Sequence, residues 1–222
     1  MSSLHTLEEL EQIIENDRKY GSLTELQIYD YRQLEYLPET IGNLISLSDL
    51  DICDCWRLKE VPETIGNLKY LKKLQIRGCM GSLDCFDKLP DTIGELKSLT
   101  YLNIHETALQ LLPDTIGNLD NLEYLEISSN WQLHQLPDTI GKLKKLKKFN
   151  LKGNDKLTSL PESIGELESL HYLNISSNAL EYLPKTIGRL QNIRYINADE
   201  NFFRSLPESI CNLKLLKDNI YK

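Results

Sequence analysis

From residue 23 onward the apolar positions fall in a fixed rhythm. Leu47, Leu50, Ile52, Cys55, Leu58 and Val61 make one set; Leu122, Leu125, Ile127, Asn130, Leu133 and Leu136 make another; Leu170, Leu173, Ile175, Asn178, Leu180 and Leu183 a third. The middle of each set alternates apolar and polar, which predicts a short strand with leucines on one side and variable residues on the other. A second apolar pair, such as Ile41 and Leu44, is spaced three apart, as on one face of a helical turn. Between strand and strand runs a nearly constant block: LPETIGNL at 37–44, VPETIGNL at 61–68, LPDTIGNL at 112–119. All eight prolines (Pro38, Pro62, Pro90, Pro113, Pro137, Pro161, Pro184 and Pro207) hold its second position, at gaps of 24, 28, 23, 24, 24, 23 and 23 residues. A period in the twenties marks a solenoid, and a block repeated this often is structural punctuation rather than a catalytic signature.

One such unit cannot bury its leucine face alone, so neighbours must stack, with strands about 4.8 Å apart in one parallel sheet. The proline suits the first position of a short helical turn on the opposite side. The glycine at 42 recurs at 66, 94, 117, 141, 165 and 188, which fits either a close backbone approach or a helix end. Residues 1–21 form a capping unit, with a helix over 3–19: Leu4, Leu7, Leu10 and Ile14 mark its inner face, Thr6 and Glu9 a capping box, and Gly21 its end. Residues 22–222 form the repeat domain. Its end is degenerate, with Asn219 and Tyr221 where leucine and isoleucine belong, so this edge is thinly capped and could pair with another chain.

The template L-x-x-L-x-L-x-x-N/C, followed by a further leucine and Leu-Pro, resembles the leucine-rich repeat family over residues 23 to 213. The resemblance implies an α/β horseshoe, right-handed, of about eight repeats with a parallel concave sheet. The LP-x-T/S-I-G style is similar to intracellular members such as Ras-pathway scaffolds and their plant relatives, and to stand-alone bacterial repeat proteins, some of them secreted effectors that bind host proteins. It also implies that the N/C residue points inward and bonds turn backbone along the stack. That position reads Tyr31, Cys55, Cys79, Thr107, Asn130, Asn154, Asn178 and Asn201. Cysteine is a weak donor and tyrosine bulky, so the first half is expected to be the less regular. The third repeat carries four extra residues between Cys79 and Leu89, an inserted loop of the kind that often bears function.

The variable wall is read from three columns. The third position holds Glu25, Asp49, Lys73, Tyr101, Tyr124, Lys148, Tyr172 and Tyr195; the fifth Gln27, Asp51, Gln75, Asn103, Glu126, Asn150, Asn174 and Asn197; the seventh includes Arg77, His105, Ser128, Lys152 and Asp199. Tyrosine offers large contact area at low entropic cost, and a file of amides can bond an extended backbone. A non-enzymatic protein- or peptide-binding face is therefore expected at Tyr101, Tyr124, Tyr172, Tyr195, Asn103, Glu126, Asn174 and Asn197. Lateral stacking of good strand formers is the plainer account of the tyrosines. Lys148 and Lys152 face the same hollow and belong to a cluster with Lys142, Lys144, Lys145, Lys147 and Lys156. They suggest an acidic ligand or RNA as the alternative, although Glu123 and Glu126 sit beside them. Trp56 and Trp131, each following an N/C residue, serve either as contact points or as shields of neighbouring turns.

Composition narrows the field. A net charge of −8 argues against nucleic-acid backbone binding. Five cysteines at irregular spacing make no disulfide framework, and reduced thiols are expected, Cys79 and Cys85 included. Asp49, Asp51 and Cys53 alternate on one strand at about 6.8 Å, too far apart to converge on a metal, so no metal or other cofactor is expected. His5, His105, His134 and His171 are scattered, and no catalytic constellation appears. The acidic amino terminus lacks the pattern of a secretory signal, and no apolar run matches a membrane span. The sequence reads as a cytoplasmic protein, with a secreted effector as the alternative, monomeric or weakly associated through its carboxy-terminal edge.

Overall fold

The computed structural model describes residues 6–78 and 85–213. The chain begins with helix α1, Leu7–Tyr20. Thr6 caps it: the Glu9 amide donates to Thr6 Oγ1 at 3.1 Å and the Thr6 amide to Glu9 Oε2 at 3.2 Å. Gly21 ends it in the left-handed region at φ 60°, its N–H bonded to the Asp17 carbonyl. The inner face is narrower than the spacing predicts. Leu10 and Ile14 are buried, but Leu7 is 40% exposed and the next inward position is Asp17. That carboxylate accepts the amides of Ser22 and Leu23, tying the helix end to the first repeat.

Eight strands follow: β1 Glu25–Tyr29, β2 Asp49–Cys53, β3 Lys73–Arg77, β4 Tyr101–His105, β5 Tyr124–Ser128, β6 Lys148–Asn150, β7 Tyr172–Asn174 and β8 Tyr195–Asn197. They form one parallel sheet in chain order. The leucines and isoleucines of every strand point away from the wall and are buried. The return on the convex side is a five-residue 3-10 turn in each repeat, from Glu39–Asn43 to Glu208–Asn212. Proline stands one position earlier than expected. It precedes the turn in extended geometry, φ −67° and ψ 144° at Pro38, and its carbonyl accepts the first turn bond from Ile41. In three turns the Thr of the block bonds the preceding turn: Thr64 Oγ1 donates to the Glu39 carbonyl, Thr92 Oγ1 to that of Glu63 and Thr186 Oγ1 to that of Glu162.

The glycine column is a close approach, not a helix end. A Cβ on Gly117 would stand 2.4 Å from the Thr139 carbonyl oxygen of the next turn. In the last turn this position is Cys211, which is exposed. A second regularity has no single residue type to announce it. The eighth position of each repeat has positive φ: Asp30, Asp54, Gly78, Glu106, Ser129, Gly153, Ser177 and Glu200. Here the chain leaves the sheet and turns toward the inward N/C residue.

Strand length reverses the expected order of regularity. β1 to β5 have five residues each and β6 to β8 only three. The cause is a change of hydrogen-bond partners. In repeats 6, 7 and 8 the fifth residue is asparagine, and its Oδ1 accepts the amide two residues on: Lys152 N to Asn150, Ser176 N to Asn174, Asp199 N to Asn197. The carbonyls of Ile127, Leu151 and Ile175 accept instead from the ladder asparagines Asn154, Asn178 and Asn201. In the first half, Cys55 Sγ is a weak substitute, 3.8 Å from the Ile28 carbonyl, and Ile28 and Tyr29 stay in register with Ile52 and Cys53. Repeat 4 shows that both asparagines are needed. Asn103 is present, but its N/C residue is Thr107, β4 stays five residues long, and Asn103 Oδ1 is buried with no hydrogen-bond partner among the described residues.

The ladder itself runs as the resemblance implies. Asn130 Oδ1 accepts the Thr107 amide at 3.1 Å, Asn154 Oδ1 the Asn130 amide at 3.0 Å, and Asn178 Oδ1 the Asn154 amide at 2.9 Å. Asn201 breaks step and accepts from Leu180. Cys79, most of the inserted loop, and the final residues Asn219 and Tyr221 lie outside the described residues.

Candidate functional site

Register places the wall residues side by side. Tyr101 pairs with Tyr124, Tyr124 with Lys148, Lys148 with Tyr172, and Tyr172 with Tyr195; one step on, Asn103, Glu126, Asn150, Asn174 and Asn197 align. The tyrosines form two stacked pairs. The Tyr101 and Tyr124 ring centroids are 4.4 Å apart at 4°, and those of Tyr172 and Tyr195 are 4.8 Å apart at 7°. Lys148 separates the pairs, and Lys73 Nζ lies 5.6 Å from the Tyr101 centroid. Parallel strands in register leave flat rings little choice but to stack, so lateral packing holds the rings, and the four tyrosines remain partly exposed.

Glu126 is the hub of the first pair. Its carboxylate accepts from the Tyr124 hydroxyl, from Ser128 Oγ at 2.7 Å and from Asn150 Nδ2 at 3.1 Å. Burial first, and then bonding to this carboxylate, pushes the Tyr124 phenol well above its ordinary pKa. Ser128 Oγ is also 2.8 Å from His105 Nδ1. The hydroxyl proton serves Glu126, so the imidazole donates to the serine and does not act as its base. Burial, followed by the neighbouring Tyr195, also raises the Tyr172 phenol.

A matching hub in the first half went unread in the sequence. Asp51 accepts from the Tyr29 hydroxyl at 3.1 Å, from Gln75 Nε2 at 2.9 Å and from Arg77 Nη2 at 3.0 Å. The signal was an aspartate with an arginine diagonal to it on the next strand. Among the described residues no group of three or more His, Cys, Asp or Glu is placed to hold a metal ion. Burial pushes the Cys53 and Cys55 thiols up to about 11, which makes them poor nucleophiles at neutral pH. Trp56 is 45% exposed on the flank, with Arg32 over its ring at 5.0 Å.

The lysine cluster divides by side. Lys144 pairs with Glu166 and Glu168, and Lys147 with Glu123; Lys145 and Lys156 donate to Asn121 and Gln132. Lys148 and Lys152, in the hollow, are exposed and make no ion pair among the described residues.

Known proteins place this architecture. Residues 80–156 and 138–218 match the family profile described as leucine-rich repeat region, and residues 3–79 that described as R13L1/DRL21 LRRs. No curated protein sequence matches the chain. Among solved structures it is similar to a leucine-rich repeat protein of Leptospira interrogans, 28% identical with a TM-score of 0.79, covering 92% of this chain and 56% of that one. It is similar to the leucine-rich repeat domain of the type III effector XopL, 26% identical with a TM-score of 0.76, covering 90% of this chain and 68% of that one. It is also similar to a plant peptide hormone receptor solved in complex with RGF2, 26% identical with a TM-score of 0.59, covering 93% of this chain and 37% of that one. This chain thus spans little more than half the length of the Leptospira protein. With eight in-register strands, an asparagine ladder and profile matches along nearly its whole length, the chain belongs to the leucine-rich repeat family.

Proposed function

We propose that the chain is a non-enzymatic interaction module that binds a protein or peptide along the inner wall between β4 and β8. The observation that carries this reading is the pair of pre-stacked tyrosine couples. Rings already held by their neighbours lose little freedom on binding, so contact area converts efficiently to affinity. The plant receptor solved with a peptide hormone supports the reading by analogy. The likeness to the repeat domain of the type III effector favours a bacterial effector-type role as the second reading, using the same wall. No helix among the described residues is long and apolar enough to cross a membrane.

The test is quantitative recovery of the partner from the source cell with wild type and with Tyr172→Ala/Tyr195→Ala. The double variant should weaken capture by about 30-fold or more, as expected when a central stacked aromatic pair contributes about 2 kcal/mol as a unit. Circular dichroism should show the strands of both proteins intact. Equal recovery would remove the wall from consideration.

A further inference from the structure

The reading above can be narrowed to one partner chemistry, because the wall asparagines of repeats 6 to 8 have used up their oxygen acceptors. Asn150, Asn174 and Asn197 each spend Oδ1 on an amide of their own turn, at 3.2, 3.1 and 3.0 Å. Only oxygen accepts an N–H, so this fixes the orientation of each amide: the NH2 group is the outward atom. Asn150 gives its NH2 to Glu126. Asn174 is 8% exposed, and its Oδ1 also accepts from Ser176 Oγ at 2.8 Å, so only its NH2 is left to donate. Asn197 Nδ2 has no partner among the described residues. Lys148 and Lys152 add to the same strip two exposed ammonium groups that make no ion pair among the described residues.

We propose that this strip, Lys148, Lys152, Tyr172, Asn174, Tyr195 and Asn197, binds an acidic, extended segment of the protein partner. Carboxylates of the segment meet Lys148 and Lys152, its carbonyls meet the donors of Tyr172 and Asn197, and its apolar side chains lie on the stacked rings. Asp199 closes the strip at the eighth repeat, two strands or about 9–10 Å from the Lys152 column, so the acidic groups sit toward repeat 6. Charge favours a peptide over RNA. A short acidic segment meets the local lysines alone, whereas a run of phosphates must lie along a molecule of net charge −8.

The experiment uses the full chain and fluorescence anisotropy with four probes: a twelve-residue peptide alternating Glu and Val, the same peptide with Gln for Glu, the same with Lys for Glu, and a twelve-nucleotide single-stranded RNA. The Glu peptide should bind at least about tenfold tighter than the Gln peptide, and Lys148→Gln/Lys152→Gln should abolish that difference. Lys148→Glu/Lys152→Glu should reverse it toward a Lys-for-Glu peptide. Equal binding of the Glu and Gln peptides, indifference to the lysine substitutions, or tighter binding of RNA would each overturn the proposal. Its failure differs from that of the wall itself. If only the acidic preference is wrong, partner capture still falls in Tyr172→Ala/Tyr195→Ala but survives Lys148→Gln/Lys152→Gln. If the wall is wrong, capture is unchanged in both.

Discussion

Asn154→Ala should lower stability by about 3–5 kcal/mol, more than any surface substitution in this chain. The side chain is fully buried. It accepts the Asn130 amide at 3.0 Å and donates to the carbonyls of Ile127 at 2.9 Å and Leu151 at 2.6 Å. Alanine orphans the Asn130 amide and the Ile127 carbonyl in a site closed to water and leaves the Leu151 carbonyl only its bond from Asn178, and each orphaned group costs about 1–3 kcal/mol. Small domains have only about 5–15 kcal/mol in total. The loss should appear in urea unfolding as a lower midpoint, and in amide exchange as early opening at Asn130. Cys55→Ala is the comparison. Cys55 makes only sulfur contacts, at 3.8 and 3.6 Å, and its loss should cost about 1 kcal/mol. Equal costs at the two positions would mean that the ladder contributes nothing beyond filling space.

The second large effect is at the glycine column. In Gly117→Ala the new methyl would meet the Thr139 carbonyl oxygen at 2.4 Å and Thr139 Cβ at 2.7 Å. Both belong to the neighbouring turn, which is held by its own 3-10 bonds from Ile140 to Pro137 and Leu143 to Ile140. Separating two turns strains every contact between repeats 4 and 5, so a cost near the top of the overpacking range, about 3 kcal/mol, is expected. For a chain of this size that lowers the melting temperature by about 6–12 °C. Cys211→Ala, at the same position of the last described turn, should leave it within about 2 °C, because nothing among the described residues stacks there. A Gly117→Ala protein that melts with wild type would show that the turns are not in contact.

Much of this architecture was legible because burial forces it. Leucine at the fourth position and isoleucine or leucine at the sixth can face only one side of a strand, so the wall columns could be aligned from the sequence, and register matches the third and fifth columns residue for residue from Glu25 to Asn197 and the seventh from Tyr29 to Ser128. Choices between two satisfied states were not legible. The glycine spacing is the same for a close approach and for a helix end; only the distance to Thr139 separates them. The left-handed eighth position is filled by Asp, Glu, Ser and Gly alike, so composition gave no sign of it. Asn103, Asn174 and Asn197 were expected to be open to a ligand, but in Asn174 and Asn197, as in Asn150, the oxygen is taken within the chain. Half of each of these three amides holds its own turn, and this shortens β6 to β8 where the opposite was expected. Asp51 joins Tyr29, Gln75 and Arg77 across three strands, a convergence that a single strand's text does not display.

The concave wall as the recognition surface is tested most directly by photo-crosslinking. A benzophenone amino acid is placed singly at Tyr172 in the hollow, at Trp56 on the flank and at Lys142 on the convex side, and each protein is irradiated with its captured partner. The account predicts a discrete adduct from position 172 and none from 56 or 142. An adduct from position 142 or 56, with none from 172, would contradict it.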